Sequence, residues 1–147
     1  MSNVLLRSIC LPESETLAGS SCYTSGINRK SKVVDAVPLN LFDESLCNNA
    51  YDQHSTEVSV NQLCAGLPSN TNGSAPFNDK YEEDFGGPLI CLNKTNQSPI
   101  FTGVSASDSF SKQSGYPGIY TNIFKNKDWI RNMTGNLSKT IHKQCFI

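Results

Sequence analysis

Short apolar stretches alternate with polar turn residues along most of the chain. The segment KVVDAVPLNL (32–41) has the composition of a strand, with Pro38 at an edge or a bend. Alternation of apolar and polar positions predicts another strand in EVSVNQLCAGL (57–67). Three apolar runs bounded by turn residues predict further strands: PLICL (88–92), PIFTGVSAS (99–107) and GIYTNIF (118–124). The pattern therefore indicates a fold built mainly from short strands.

Only the C-terminal end of the chain has a helical pattern. Asn126 is a candidate N-cap, Asp128 would occupy the first turn, and Gly135 would end the helix. The apolar side of this helix is predicted to contain Ile123, Ile130, Met133 and Leu137. Residues 68–80 have the composition of an exposed loop. Short strands with one terminal helix, and without an internal repeat, predict a β-barrel or a β-sandwich.

Composition narrows the possible environments and partners. The 147 residues are 37% hydrophobic and 17% charged, as expected for one domain with its own core. A net charge of −1 gives no electrostatic reason to expect nucleic acid or anionic lipid as a partner. Apolar runs are too short for a membrane span, and Val4-Leu5-Leu6 is too short for the apolar region of a signal peptide, which needs roughly 7–15 residues.

Cysteines and glycosylation sequons nevertheless favour an extracellular protein. None of the six cysteines lies in a CxxC spacing, and such a set is typical of an oxidising compartment (Cys10, Cys22, Cys47, Cys64, Cys91, Cys145). Five Asn-x-Ser/Thr sequons begin at Asn72, Asn93, Asn96, Asn132 and Asn136, where chance predicts about three. The sequence thus predicts a secreted, disulfide-bonded glycoprotein, although it lacks a signal peptide of its own. That contrast favours a truncated chain or part of a precursor.

The stretch EEDFGGPLIC (82–91) resembles the motif GDSGGPLxC, which contains the nucleophilic serine of trypsin-like peptidases. Five further segments resemble landmarks of the same family in the same order: SICLPE (8–13), CYTSG (22–26), AVPLNLFDESLCNNAY (36–51), NQLCAG (61–66) and PGIYTNIFKNKDWI (117–130). Over roughly residues 4–131 the chain therefore resembles the C-terminal half of a trypsin-like (chymotrypsin-fold) serine peptidase. The resemblance implies an all-β fold, namely the second β-barrel of the two-barrel fold with a C-terminal helix. It divides the chain into an inter-barrel linker (1–17), the barrel and helix (18–134) and a tail (135–147).

The same resemblance implies a disulfide pattern. Cys22–Cys91 would close a long loop and Cys47–Cys64 a short one. A third disulfide of the family flanks its specificity pocket; one of its positions falls on Tyr81 and the other within 107–112, where there is no cysteine. Cys10 corresponds to a cysteine that usually bridges to the N-terminal side of the peptidase domain. Here it would pair either with Cys145 or with another polypeptide, upstream or separate.

The catalytic residues of the family are not matched. Phe85 occupies the position of the nucleophilic serine, and a phenyl ring has neither a lone pair for attack nor a proton for a base to take. The family histidine and aspartate would lie upstream of Met1, and His54 and His142 do not match them and are expected on the surface. Glu83 replaces a glycine whose N–H lines the oxyanion hole. Its carboxylate would either repel a developing oxyanion or point into water.

The substrate pocket resembles that of the family only in part. Asp79 lies six residues before Phe85, the spacing of the aspartate that binds Arg or Lys in trypsin-like enzymes. Lys80 beside it could neutralise its charge, and the alternative is that Asp79 is a solvated acid of the loop. Asp84 matches the aspartate that pairs with the new N-terminus after zymogen cleavage. The pocket wall Ser-Trp-Gly of the family is here Ser105-Ala106-Ser107.

These features predict a catalytically inactive protease homologue that serves as an extracellular binding or regulatory protein for a protein partner. Phe85 would either fill the former cleft or act as an aromatic anchor. The alternative is a C-terminal fragment of a longer secreted serine endopeptidase-like precursor. Hydrolysis by some other set of residues has no support, because the sequence contains no metal-ligand cluster, no phosphate loop and no plausible Ser–His–Asp arrangement. No cofactor is expected.

Overall fold

The computed structural model describes residues 9–28, 30–52, 58–67, 81–83, 86–106 and 116–135. Seven strands and two helices follow one another in these ranges: β1 (Ser21–Asn28), β2 (Val34–Leu41), α1 (Glu44–Tyr51), β3 (Gln62–Gly66), β4 (Tyr81–Glu83), β5 (Pro88–Leu92), β6 (Pro99–Ser105), β7 (Gly118–Asn122) and α2 (Lys127–Thr134).

Six of these strands form a closed antiparallel β-barrel. The strand order is β2-β3-β7-β6-β5-β1, and β1 pairs with β2 to close the ring. The short β4 extends the sheet by pairing with Gly26–Asn28 at the C-terminal end of β1. A mainly β fold that ends in a helix was expected from the pattern and from the family resemblance, and the structure confirms it.

Strand β2 shows how the hydrophobic pattern produces the barrel. Val37, Leu39 and Leu41 alternate with less buried residues and point into the interior, where each is at most 3% exposed. Pro38 lies opposite Tyr23 of β1, whereas the described pairing of β2 with β3 involves only residues 40 and 41. At Pro38 the side of the strand that faces away from β1 therefore has no described partner strand, which suits a residue without an N–H.

The five strands predicted from the pattern are all present, although most are shorter than predicted. β5 has the predicted bounds, and β2, β3, β6 and β7 each lie within their predicted segments. The pattern did not predict β1, because SCYTSGIN contains several residues that are as common in turns as in strands. Pairing with β2, β4 and β5 forms this strand instead. The predicted loop 68–80 lies outside the described residues.

The expectation of a single helical segment is wrong, because α1 forms between β2 and β3. Asp43 is its N-cap, with a side-chain Oδ1 that accepts a hydrogen bond from the Leu46 N–H at 2.7 Å. Only two of its residues, Cys47 and Tyr51, are buried, and they lie one turn apart. Two apolar positions in eight residues are too few to show a helical period in the sequence.

The structure confirms the predicted C-terminal end of the second helix, α2, but not all of its predicted apolar side. Gly135 ends it with φ 59°, and the Gly135 N–H donates to the Arg131 carbonyl. Asn126 occupies the N-cap position, but its Nδ2 donates to the Asn122 carbonyl instead of capping the helix. Met133 was expected among the core-facing residues and is 70% exposed, which contradicts that part of the prediction.

Two hydrophobic clusters hold the barrel together, and each contains a disulfide. The first surrounds Cys22–Cys91 and the second Cys47–Cys64, the two pairs that the family resemblance implied. The members of the first are Cys22, Val37, Leu39, Leu41, Ala65, Leu89, Cys91 and Tyr120, and those of the second are Cys47, Tyr51, Val58, Cys64 and Ile119. By the chain-entropy model the two bonds contribute about 4 and about 3 kcal/mol respectively.

The segment that precedes β1 is attached to the outside of the barrel. Cys10 forms a parallel bridge with Ile100, and the Phe101 N–H donates to the Cys10 carbonyl at 2.9 Å. Cys10 is also disulfide-bonded. Because the other four described cysteines pair with one another, its partner lies outside the described residues.

Candidate functional site

The two ends of the segment that contains Phe85 are held by neighbouring strands of the barrel. On one side, Glu83 ends β4 and pairs with Gly26 of β1. On the other, the Gly86 N–H donates to the Ser105 carbonyl at 3.1 Å, and the Ser105 N–H donates to the Gly87 carbonyl at 2.8 Å. Gly86 has φ 79°, a conformation that glycine adopts without the steric cost of a side chain. The chain on both sides of Phe85 is thus bonded to β1 and β6.

The part of the motif that follows Gly86 is built into the core. Leu89 and Cys91 are 0% and 1% exposed, and Cys91 lies directly opposite its disulfide partner Cys22. Gly103 of β6 permits this packing: a Cβ at that position would lie 2.9 Å from the Tyr120 Cβ and 3.3 Å from the Leu89 Cβ. Close approach of three strands therefore depends on the missing side chain of Gly103.

Two buried hydroxyl groups near this packing have no hydrogen-bond partner in the described part of the chain. They belong to Thr24 of β1 and Ser105 of β6, which are 2% and 5% exposed. An unsatisfied buried hydroxyl costs about 1–3 kcal/mol. The sequence indicated Ser105 only as part of a pocket wall and gave no sign that its Oγ lacks a partner. Whether the Ser105 Oγ has a hydrogen-bond partner depends on which groups surround it after folding.

Ten of the predicted site residues lie outside the described residues, so their roles remain predictions. They are His54, Asn72, Asp79, Lys80, Asp84, Phe85, Ser107, Asn136, His142 and Cys145. Of the proposed pocket wall, Ser105 is the last residue of β6, and the Ala106 N–H donates to the Ile119 carbonyl at 2.9 Å.

Three sequon asparagines lie in the described residues, and their surroundings differ. Asn93 and Asn96 lie in the turn between β5 and β6. The Asn93 Oδ1 accepts from the Thr95 N–H at 2.8 Å, and the Asn96 Oδ1 accepts from the Ser98 hydroxyl at 2.7 Å. Asn132 lies on α2 and is exposed. The sequence alone does not distinguish the surroundings of these three asparagines.

The described surface has two concavities whose linings do not include the Gly86–Ser105 contact. One, of about 300 Å³, lies between residues 10–20 and the β5–β6 turn. The other, of about 250 Å³, lies on β1, β2 and β5 and is lined by Tyr23, Val34, Ala36 and Ile90 among others. Neither is bordered by Gly86, Gly87 or Ser105.

The helices of the described residues include none that is long and apolar enough to cross a membrane. Comparison with known protein families matches residues 2–130 to the family described as Trypsin. The match thus covers nearly all of the segment in which the resemblance was found.

Comparison with curated proteins finds relatives of the same kind. The chain is 34% identical over 140 residues to the thrombin-like enzyme cerastocytin of Cerastes cerastes, covering 90% of this chain and 50% of that protein. It is 31% identical over 141 residues to the venom plasminogen activator TSV-PA of Trimeresurus stejnegeri, covering 90% and 49%. It is 31% identical over 139 residues to human mannan-binding lectin serine protease 1, covering 90% and 19%. The chain therefore spans half or less of the length of these relatives.

A solved structure shows the same fold. Kallikrein-related peptidase 10 superposes with a TM-score of 0.63 at 23% identity, covering 88% of this chain and 57% of that chain. The closed barrel, the two disulfides and the family match agree with one another. The chain belongs to the trypsin-like serine peptidase family.

Proposed function

We propose that this chain is a catalytically inactive trypsin-like serine protease homologue, comprising part of a peptidase domain, that acts outside the cell by binding another protein. The observation that carries the proposal is Phe85 in EEDFGGPLIC, at the position of the nucleophilic serine. A phenyl ring forms no acyl intermediate, and loss of the nucleophile from a catalytic triad costs on the order of a million-fold in turnover.

The alignment of Phe85 with that serine is supported by its neighbours. Gly86 has the positive φ that suits a glycine, and Gly86 and Gly87 both bond to Ser105. Leu89 and Cys91 are buried in the barrel. The letters that follow the serine in the family motif are therefore present here and have structural roles, so that a shift of the alignment by one residue would break several of them.

Glu83 weakens the case for an enzyme further. It stands where the family has an oxyanion-hole glycine, and a carboxylate about 4 Å from an oxyanion would repel it by roughly 4 kcal/mol at an effective dielectric of 20. Alternatively the carboxylate points into water, and only the freedom of a glycine is lost. Neither arrangement aids hydrolysis. Asp79 remains a candidate for binding a basic side chain of a partner.

An extracellular location is supported by the disulfide bonds. Both Cys22–Cys91 and Cys47–Cys64 are buried, and such structural disulfides persist in oxidising compartments. Two of the relatives are named as venom proteins or thrombin-like enzymes. A partner protein would bind to loops of this disulfide-bonded barrel, and such binding does not require a catalytic step.

A second candidate is a C-terminal portion of a longer serine endopeptidase-like precursor. It is favoured by the coverage of the two venom relatives, of which this chain spans 50% and 49%. Such a parent would still carry Phe85, so that the two candidates agree on the absent nucleophile and differ on what lies upstream. The transcript upstream of residue 1 distinguishes them, through the presence or absence of the family's histidine and aspartate segments.

Labelling with a fluorophosphonate tests the inactive state. The reagent phosphonylates activated serines, and we expect the wild-type chain to remain unlabelled under conditions that label trypsin to completion. The matched control is Phe85→Ser, which we also expect to stay unlabelled in this chain because no histidine of the triad is present to activate the new hydroxyl. Stoichiometric labelling of the wild type would contradict the proposal.

A further inference from the structure

The solvent side of α2 has an exposed apolar pair. Trp129 and Met133, one helical turn apart, are 64% and 70% exposed. Ile130 and Arg131, which lie between them in the sequence, are half-buried. Large apolar residues that lie together on a surface mark a place that something covers.

A glycosylation sequon lies on the same side of this helix. Asn132-Met133-Thr134 places the acceptor three residues after Trp129, and residues with this spacing are neighbours on a helix surface, about 5–6 Å apart at their Cβ atoms. Helical side chains tilt toward the N-terminus of the helix, so the carboxamide of Asn132 is directed toward the turn that contains Trp129.

Asn132 also differs from the other described sequon asparagines in the hydrogen bonding of its side chain. The carboxamides of Asn93 and Asn96 accept hydrogen bonds within their own turn, which fixes their direction. The exposed side chain of Asn132 has no such bond among the described residues, whereas the Thr134 hydroxyl of its sequon donates to the Ile130 carbonyl. A rotation of the Asn132 side chain toward Trp129 would therefore break no hydrogen bond of the described residues.

We propose that Asn132 carries an N-linked glycan whose first N-acetylglucosamine lies over the Trp129 ring and beside Met133. In the transfer step, Nδ2 of Asn132 bonds to C1 of the sugar of a lipid-pyrophosphate-linked oligosaccharide. The bond from C1 to the pyrophosphate oxygen breaks, the lipid pyrophosphate leaves, and the transferase takes up one proton from Nδ2. The apolar C–H face of the sugar then contacts the aromatic face, which covers the pair. This inference rests on the extracellular part of the proposed function.

The single tryptophan of the chain makes the contact measurable. Trp129 is the only tryptophan in 147 residues, so its fluorescence and its quenching by acrylamide report on this site alone. The chain is expressed behind a secretion leader in eukaryotic cells held at the high-mannose stage. One sample is then treated natively with endoglycosidase H, which leaves the first sugar on the asparagine, and another with PNGase F, which removes it.

We expect peptide mapping, with ¹⁸O labelling of the released site, to detect a glycan at Asn132. The acrylamide quenching constant is expected to be low in the untreated and endoglycosidase H samples and to rise roughly two-fold after PNGase F, as the covered ring area is exposed. Asn132→Gln should match the PNGase F sample. The matched control Asn96→Gln, in the β5–β6 turn, should match the untreated wild type.

The outcomes separate this inference from the proposed function. Glycans on other sequons but not on Asn132 would overturn the inference and leave the extracellular proposal intact. A glycan on Asn132 whose removal leaves quenching unchanged would overturn the contact with Trp129. Absence of glycan from every sequon would also contradict the inference. It would leave the extracellular proposal intact, because the leader supplied with the chain directs its secretion, and the fluorophosphonate result would still decide the inactive state.

Discussion

The motif EEDFGGPLIC divides at Gly86 into two parts with different relations to the family pattern. After Gly86 every residue type that forms the barrel is retained: the glycine pair bonds to Ser105, Leu89 is fully buried, and Cys91 forms its disulfide. Before Gly86, Glu83 and Phe85 stand where our proposed alignment places the glycine and serine of the family motif. Under the proposed alignment, the groups that hold this barrel together are separate from those that would cleave a peptide bond.

The largest expected effect comes from the disulfide of the retained part. Replacing Cys22 and Cys91 together by alanine should lower the free energy of unfolding by about 4 kcal/mol, because the bond spans 69 residues. The matched change of Cys47 and Cys64, which spans 17 residues, should cost about 3 kcal/mol. Urea unfolding followed by circular dichroism gives both values. Equal stability of the first variant and the wild type would show that the barrel does not depend on this bond.

A smaller effect is expected at the close approach of β5, β6 and β7. Gly103→Ala puts a Cβ 2.9 Å from the Tyr120 Cβ, and we expect a loss of about 1–3 kcal/mol because backbone and core must shift. Gly19→Ala is the comparison: no atom lies within 4 Å of the added Cβ, and only its positive φ costs energy, about 1 kcal/mol. Thermal unfolding distinguishes them, and a smaller loss at Gly103 than at Gly19 would contradict the packing described here.

The sequence predicted the strands of this barrel better than it predicted their contacts. β5 was predicted with its bounds because a short apolar run between turn residues has few alternatives. α1 was missed because Cys47 and Tyr51 are its only buried residues. The crowding at Gly103 and the unpartnered Thr24 hydroxyl had no signal in the sequence, since both depend on neighbours that only the closed barrel brings together. Both disulfides followed from the family resemblance and not from the spacing of the cysteines.

The smallest stability effect concerns two buried threonines that differ in one hydrogen bond. Thr24 has no partner for its hydroxyl in the described part of the chain, whereas the Thr102 Oγ1 donates to the Ile100 carbonyl at 3.2 Å. Thr24→Val removes an unsatisfied group of the same shape and should stabilise the protein by about 1 kcal/mol. Thr102→Val removes a satisfied group and should be neutral or destabilising by about 1 kcal/mol. Destabilisation by Thr24→Val would indicate a partner for that hydroxyl.

The separation of scaffold from chemistry is tested most directly by trapping an acyl group. The chain, with its disulfides intact, is incubated with an excess of a p-nitrophenyl guanidinobenzoate ester, and its intact mass is measured. The account predicts an unchanged mass for the wild type and no initial burst of nitrophenol. One guanidinobenzoyl group per chain, mapped to any serine and released with time, would contradict it.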